Sequence, residues 1–156
     1  MLSACASTNP ASSPQQRDAL IAQLEAAKQT DQRNALAPGI NPITQGDFMH
    51  SATKVDAVVA AVRQGQYVSD RDLRLALTVP PKSMSAEQRQ DYINQLQAAR
   101  DLDRHGVQDY TWDSPGKVQD YAVQIKMIDE AIALLRTDQP VSWWQIQQAL
   151  HVPPNP

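Results

Sequence analysis

Three histidines, one cysteine and seventeen carboxylates are the side chains here that could hold a metal, attack a substrate or move a proton. His50, His105 and His151 are too far apart in sequence for any two to share one helix face as metal ligands, so each reads as a solvated or hydrogen-bonded histidine. There is no Gly-x-Ser-x-Gly elbow and no phosphate-binding loop, and the only thiol, Cys5, lies in a Ser/Pro-rich stretch. Close carboxylate pairs such as Asp70 and Asp72 fit the start of a helix, where the backbone dipole favours negative charge. No catalytic residue is assigned, and the chain reads as non-enzymatic.

The segment Asp101-Leu102-Asp103-Arg104-His105-Gly106-Val107-Gln108-Asp109 has oxygen ligands and a glycine at positions 1, 3, 6 and 9, and in this it resembles the start of an EF-hand calcium loop. Position 12 is Trp112 where that family needs a bidentate glutamate, and position 5 is His105, a poor ligand for a hard cation. The expectation is therefore no metal site and no cofactor.

The aromatic residues carry more information. Trp143 and Trp144 fall at the predicted first turn of a short helix, and Tyr110 and Trp112 in the loop before the preceding one. First turns are commonly exposed and tryptophan is enriched in binding hot spots, which makes Tyr110, Trp112, Trp143 and Trp144 a candidate interaction surface. Large aromatics are also normally buried, so the alternative is that these rings pack on one another or bridge two parts of the chain.

The elements that would position these residues come from an internal duplication. Ala76-Leu77-Thr78-Val79-Pro80-Pro81 recurs 73 residues later as Ala149-Leu150-His151-Val152-Pro153-Pro154. Upstream, Arg63, Gln66, Val68 and Ser69 recur as Arg136, Gln139, Val141 and Ser142. At an offset of 72, Ser13, Gln16, Ile21, Leu24, Ala27 and Asp31 recur as Ser85, Gln88, Ile93, Leu96, Ala99 and Asp103. Repeat one spans about 13–81 and repeat two about 85–154.

Each repeat predicts three helices. The first opens on a serine with glutamine three residues on, a capping box, and presents Leu20, Ile21, Leu24 and Ala27 or Tyr92, Ile93, Leu96 and Ala99. The second carries Phe48, Ala52, Val55, Val59 and Val62, or Tyr121, Ile125, Ile128, Ile132 and Leu135, a 4-3-4-3 spacing that is helical despite its valines. The third starts at Ser69 or Ser142, is stapled by Val68 and Leu73 or Val141 and Ile146, and stops at Val-Pro-Pro. Its Leu73/Leu77 or Ile146/Leu150 face must pack on the other two, because so short a helix is unstable alone. The prediction is an all-α bundle of about six helices, a single domain over 13–154 with a shared core, preceded by a disordered tether over 1–12.

Composition agrees. Hydrophobic residues make up 42% and charged residues 20%, with five glycines and an aromatic content of 5%, which suits helices packed through aliphatic side chains. A net charge of −3 with no Lys/Arg cluster excludes nucleic acid as an expected partner, and no stretch approaches the length needed to span a bilayer.

The tether begins Leu2-Ser3-Ala4-Cys5 and runs into Ala6-Ser7-Thr8-Asn9-Pro10-Ala11-Ser12-Ser13-Pro14. Leu-Ser-Ala-Cys resembles the lipobox of bacterial lipoproteins, whose cysteine becomes the lipidated first residue of the mature protein; the expectation is that the signal's charged and apolar regions belong upstream of Met1. The resemblance implies lipidation of Cys5. With Ala6 rather than aspartate next, it also implies the outer membrane of a Gram-negative envelope, with the body facing the periplasm or the surface. The chain then resembles small helical envelope lipoproteins: an anchored interaction or surface protein, a surface antigen included, whose partner is a protein or other envelope component and whose membrane contact is the anchor alone. The alternatives are a cytoplasmic chain with an incidental thiol, and a soluble small-molecule binder using a cleft between the repeats.

Overall fold

The computed structural model describes residues 13–110 and 115–151. Every regular element among them is an α-helix: α1 (Pro14–Ala35), α2 (Pro42–Arg63), α3 (Asp70–Leu77), α4 (Ala86–Tyr110), α5 (Pro115–Arg136) and α6 (Trp143–Ala149). The chain divides into two compact units, Met1–Pro80 and Pro81–Pro156. Residues 1–12, Trp112 and the second Val-Pro-Pro lie outside the described residues.

In the first unit, α1 starts where the capping box places it. The Gln16 amide donates to Ser13 Oγ and the Ser13 amide donates to Gln16 Oε1, both at 3.2 Å, while Pro14 needs no partner at the first position. Asn41 caps α2 by accepting from the Thr44 amide at 2.9 Å, again ahead of a proline. The α2 stripe then buries Val55, Val59 and Val62 in one cluster with Leu24 of α1, and Phe48 is also buried, with Ala52 partly buried. Burial of each such side chain contributes roughly 1.5–3 kcal/mol.

The end of α2 is a Schellman turn. Gly65 sits at φ 68°, its amide donating to the Val62 carbonyl and the next amide, Gln66, donating to the Ala61 carbonyl. This reverses the chain so that Ser69, accepting from the Asp72 amide at 3.1 Å, can start α3 on the hairpin. Val68 and Ala76 are buried there, and Lys54 of α2 is joined to Asp72 at 2.5 Å. Of the predicted Leu73/Leu77 face, Leu73 packs on the core beside the buried Ala76, whereas Leu77 is exposed and Leu75 is buried in its place.

The second unit repeats these devices in register. Ser85 and Gln88 form the reciprocal cap, at 2.9 and 3.1 Å. Asp138 takes the left-handed position that Gly65 fills in the first unit, at φ 53°, with the Gln139 amide donating to the Leu134 carbonyl. Ser142 caps α6 through the Gln145 amide at 3.3 Å. Ile93, Leu96, Ile128, Ile132, Leu135, Val141 and Ile146 form the core. The ion pair between first and second helices also recurs, Lys28–Asp56 at 2.6 Å and Arg100–Asp129 at 2.9 Å, though such exposed pairs contribute little.

Each unit has a buried cluster of its own, with α3 or α6 packed on the hairpin of that unit. One expectation is corrected. Tyr110 is not in a loop: α4 runs unbroken to it through Gly106. A glycine inside a helix normally costs about 1 kcal/mol relative to alanine. Here it makes room, since a Cβ on Gly106 would lie 2.6 Å from the Tyr121 ring.

Two glycine substitutions separate two kinds of constraint. Gly106→Ala should lower the stability of the second unit by about 1–3 kcal/mol through overpacking against Tyr121, read by urea unfolding followed by tryptophan fluorescence. Gly65→Ala meets no atom within 4 Å and should cost about 1 kcal/mol from its positive φ alone, whereas Asp138→Gly should be neutral or stabilising.

Candidate functional site

The aromatic residues of the second unit belong to its interior. Trp143 and Trp144 retain 4% and 8% of their surface, and their rings meet edge to face with centroids 5.1 Å apart. Trp143 Nε1–H donates to the Tyr92 hydroxyl of α4 at 3.3 Å. The expectation of an exposed patch at Trp143 and Trp144 is thereby corrected to the packed alternative: α6 has only seven residues, and its first turn sinks both indoles to hold it on the hairpin. Trp112 and the side chain of Tyr110 fall outside the described residues. Gln124 of α5 completes the docking, its Nε2 donating to the carbonyls of Gln148 and Ala149 at 2.8 and 2.7 Å, which satisfies the end of α6.

The EF-hand-like segment is helix. Asp101 and Asp109 are exposed on α4, Asp103 points inward, and His105 is exposed with Nδ1 2.6 Å from the Asp101 carbonyl one turn back. Residues one helical turn apart cannot wrap a cation as a loop does, and among the described residues no three His, Cys, Asp or Glu side chains converge on one point.

Asp31 and Asp103 are the unusual polar groups. Each lies seven residues beyond the central leucine of its helix, Leu24 or Leu96, and so faces the hairpin seam. Both are 0% exposed, and neither carboxyl oxygen of either residue has a hydrogen-bond partner. Burial pushes the Asp31 carboxyl above the usual range, opposed by the Ser51 hydroxyl of α2, whose own Oγ is buried outside normal hydrogen-bonding geometry. Burial alone pushes Asp103 up to about 6. With no surface exposed to solvent, these groups are placed to affect packing. The signal for them was in the sequence: they recur between the repeats, on the apolar face.

An apolar surface left open lies on the first unit. The end of α1 and the start of α2 frame a groove of about 500 Å³ lined by Ala35, Leu36, Phe48, Met49 and Ala52, with Gln32, Gln45, Thr53 and Asp56 around them. Leu36 is 82% and Met49 61% exposed. On a helix, Met49, Ala52 and Asp56 lie well round from Lys54, the residue that holds α3, so the groove is on a different face of the hairpin from α3. Periodicity did not identify it, because Leu36 follows the last periodic residue and Met49 is off the stripe.

Comparison with protein-family models, with curated proteins and with solved structures finds no match for this chain.

Replacing Trp143 and Trp144 by the Asp and Arg that stand at these positions in repeat one measures their role directly. With both rings buried, Trp143→Asp or Trp144→Arg should each lower stability by about 3–5 kcal/mol and bring the thermal transition down steeply by circular dichroism. An unchanged transition would return the rings to the surface.

Proposed function

We propose that the chain is a non-enzymatic lipoprotein of the Gram-negative cell envelope, anchored through Cys5 and acting through its helical body as an interaction or surface protein. One observation carries this reading: the only cysteine closes a Leu-Ser-Ala-Cys box and is followed by a small, polar, Pro/Ser-rich tether of the kind that spaces a folded body from a lipid anchor. Two features are compatible with it. No described helix is long and apolar enough to cross a membrane, so attachment would rest on the anchor. Among the described residues, no cluster of metal-ligating side chains assembles.

A second reading has its own observation. The groove of the first unit has the size and largely apolar lining of a small-molecule site, so the body could hold an apolar ligand between α1 and α2 instead of, or as well as, meeting a protein.

Both readings are testable. Expression of the gene with its upstream region in a Gram-negative host should incorporate labelled palmitate into the protein and place it in the membrane fraction, and Cys5→Ser should abolish both. A cytosolic, unlabelled product would overturn the envelope reading. For the groove, Nile red fluorescence should rise on mixing with the protein and fall at least several-fold in Leu36→Glu/Met49→Glu; equal signals from both proteins would remove the groove as a ligand site.

A further inference from the structure

We propose that Asp31 and Asp103 form a duplicated proton latch, each hairpin packing fully when this carboxyl is protonated and loosening around it when the carboxyl ionises.

The geometry points to this before any titration is considered. The two residues occupy the same position of the first helix in each unit, both are 0% exposed, and none of their four oxygens has a hydrogen-bond partner. A neutral carboxyl can tolerate such a place, but a carboxylate there gives up its hydration, opposed at Asp31 only by the Ser51 hydroxyl of α2. Asp31 also lies one turn from the end of α1, where the helix dipole further disfavours negative charge.

The surrounding charges do not rescue the ionised form. On the helices that carry Asp31 and Ser51, Lys28 lies one turn back on α1 and is already held by Asp56 at 2.6 Å, and the buried carboxyl Asp47 lies one turn before Ser51 on α2. Near Asp103, α4 brings Arg100, whose Nη1 is held by Asp129 of α5 at 2.9 Å and whose buried Nε makes no hydrogen bond to the Asp103 carboxyl. The α5 helix also supplies the Tyr121 ring one turn away over Gly106, and α6 has no ionisable side chain.

The sign follows from linkage. The carboxyls titrate higher in the folded chain than their ordinary 3.8, Asp103 near 6. Between those values the folded chain therefore binds more protons than the unfolded chain, and stability falls as pH rises through the window. Above the folded value the loss is complete. The inference stands apart from any lipid on Cys5.

The test is thermal unfolding of the full chain at pH 5 and pH 7.5. The wild type should melt at least about 4 °C higher at pH 5. In Asp31→Asn/Asp103→Asn, which keeps the shape but cannot ionise, that difference should vanish whatever the absolute melting temperature. A wild-type melting temperature equal at the two pH values overturns the latch. So does a difference that persists in the double variant, which would place its origin outside these two carboxyls. Should the double variant fail to fold, the ¹³C carboxyl shifts of the wild type decide: an Asp103 midpoint near 6 supports the latch, and one below about 4.5 overturns it.

Discussion

Everything in each unit hangs on one seam, the line along which the second helix lays its β-branched and aromatic stripe against the leucine of the first. With a single cysteine the chain has no internal disulfide, and its ion pairs sit largely at the surface. Long-range order must therefore come from apolar area removed from water, at roughly 25 cal/mol per Å². Units of this size bury little area to spare. The seam fixes the hairpin, the hairpin creates the concave face for the third helix, and the third helix, eight residues in one unit and seven in the other, is helical because it is caught there.

The two units use different chemistry for the same step. In the first, α3 is held by the Lys54–Asp72 pair and by Leu75 and Ala76. The Lys54 ammonium and Ser69 hydroxyl hold the Asp72 carboxyl below its usual range, so this contribution is present above the ordinary carboxylate pKa and fades as the solution is acidified through the lowered one. In the second, two indoles, a tyrosine hydroxyl and the Gln124 amide take over. Apolar and hydrogen-bonded docking of this kind does not depend on a carboxylate. The buried aspartates oppose the Asp72 trend, since their contribution improves on acidification.

Burying an unpaired acid in a seam that is short of area is a cost no packing argument requires, because a leucine at either position would extend the stripe. Its presence in both units, at one register, marks the seam as a place where stability is traded for response. The exposed groove of the first unit is a separate feature, built from the turn-proximal ends of α1 and α2, and it offers the body an apolar face that the second unit's tryptophans, being core, do not.

Helix content, the serine caps and the α2 and α5 stripes are local matters, governed by periodicity and by hydrogen bonds between residues three to five apart, and they were legible in the residues. The lipobox-like Leu2-Ser3-Ala4-Cys5 is also a property of the sequence alone. What the sequence could not decide were questions of which surfaces meet. Trp143 and Trp144 have the same composition and spacing whether exposed or packed, and only the depth at which α6 sits on its hairpin turns a candidate recognition patch into core. The spacing around Asp103 resembles the start of a calcium loop, whereas α4 runs unbroken through Gly106 beneath Tyr121 and buries the carboxyl. Helical periodicity assigns a residue to a face, but tertiary packing decides what covers that face, and with it whether a side chain keeps its water.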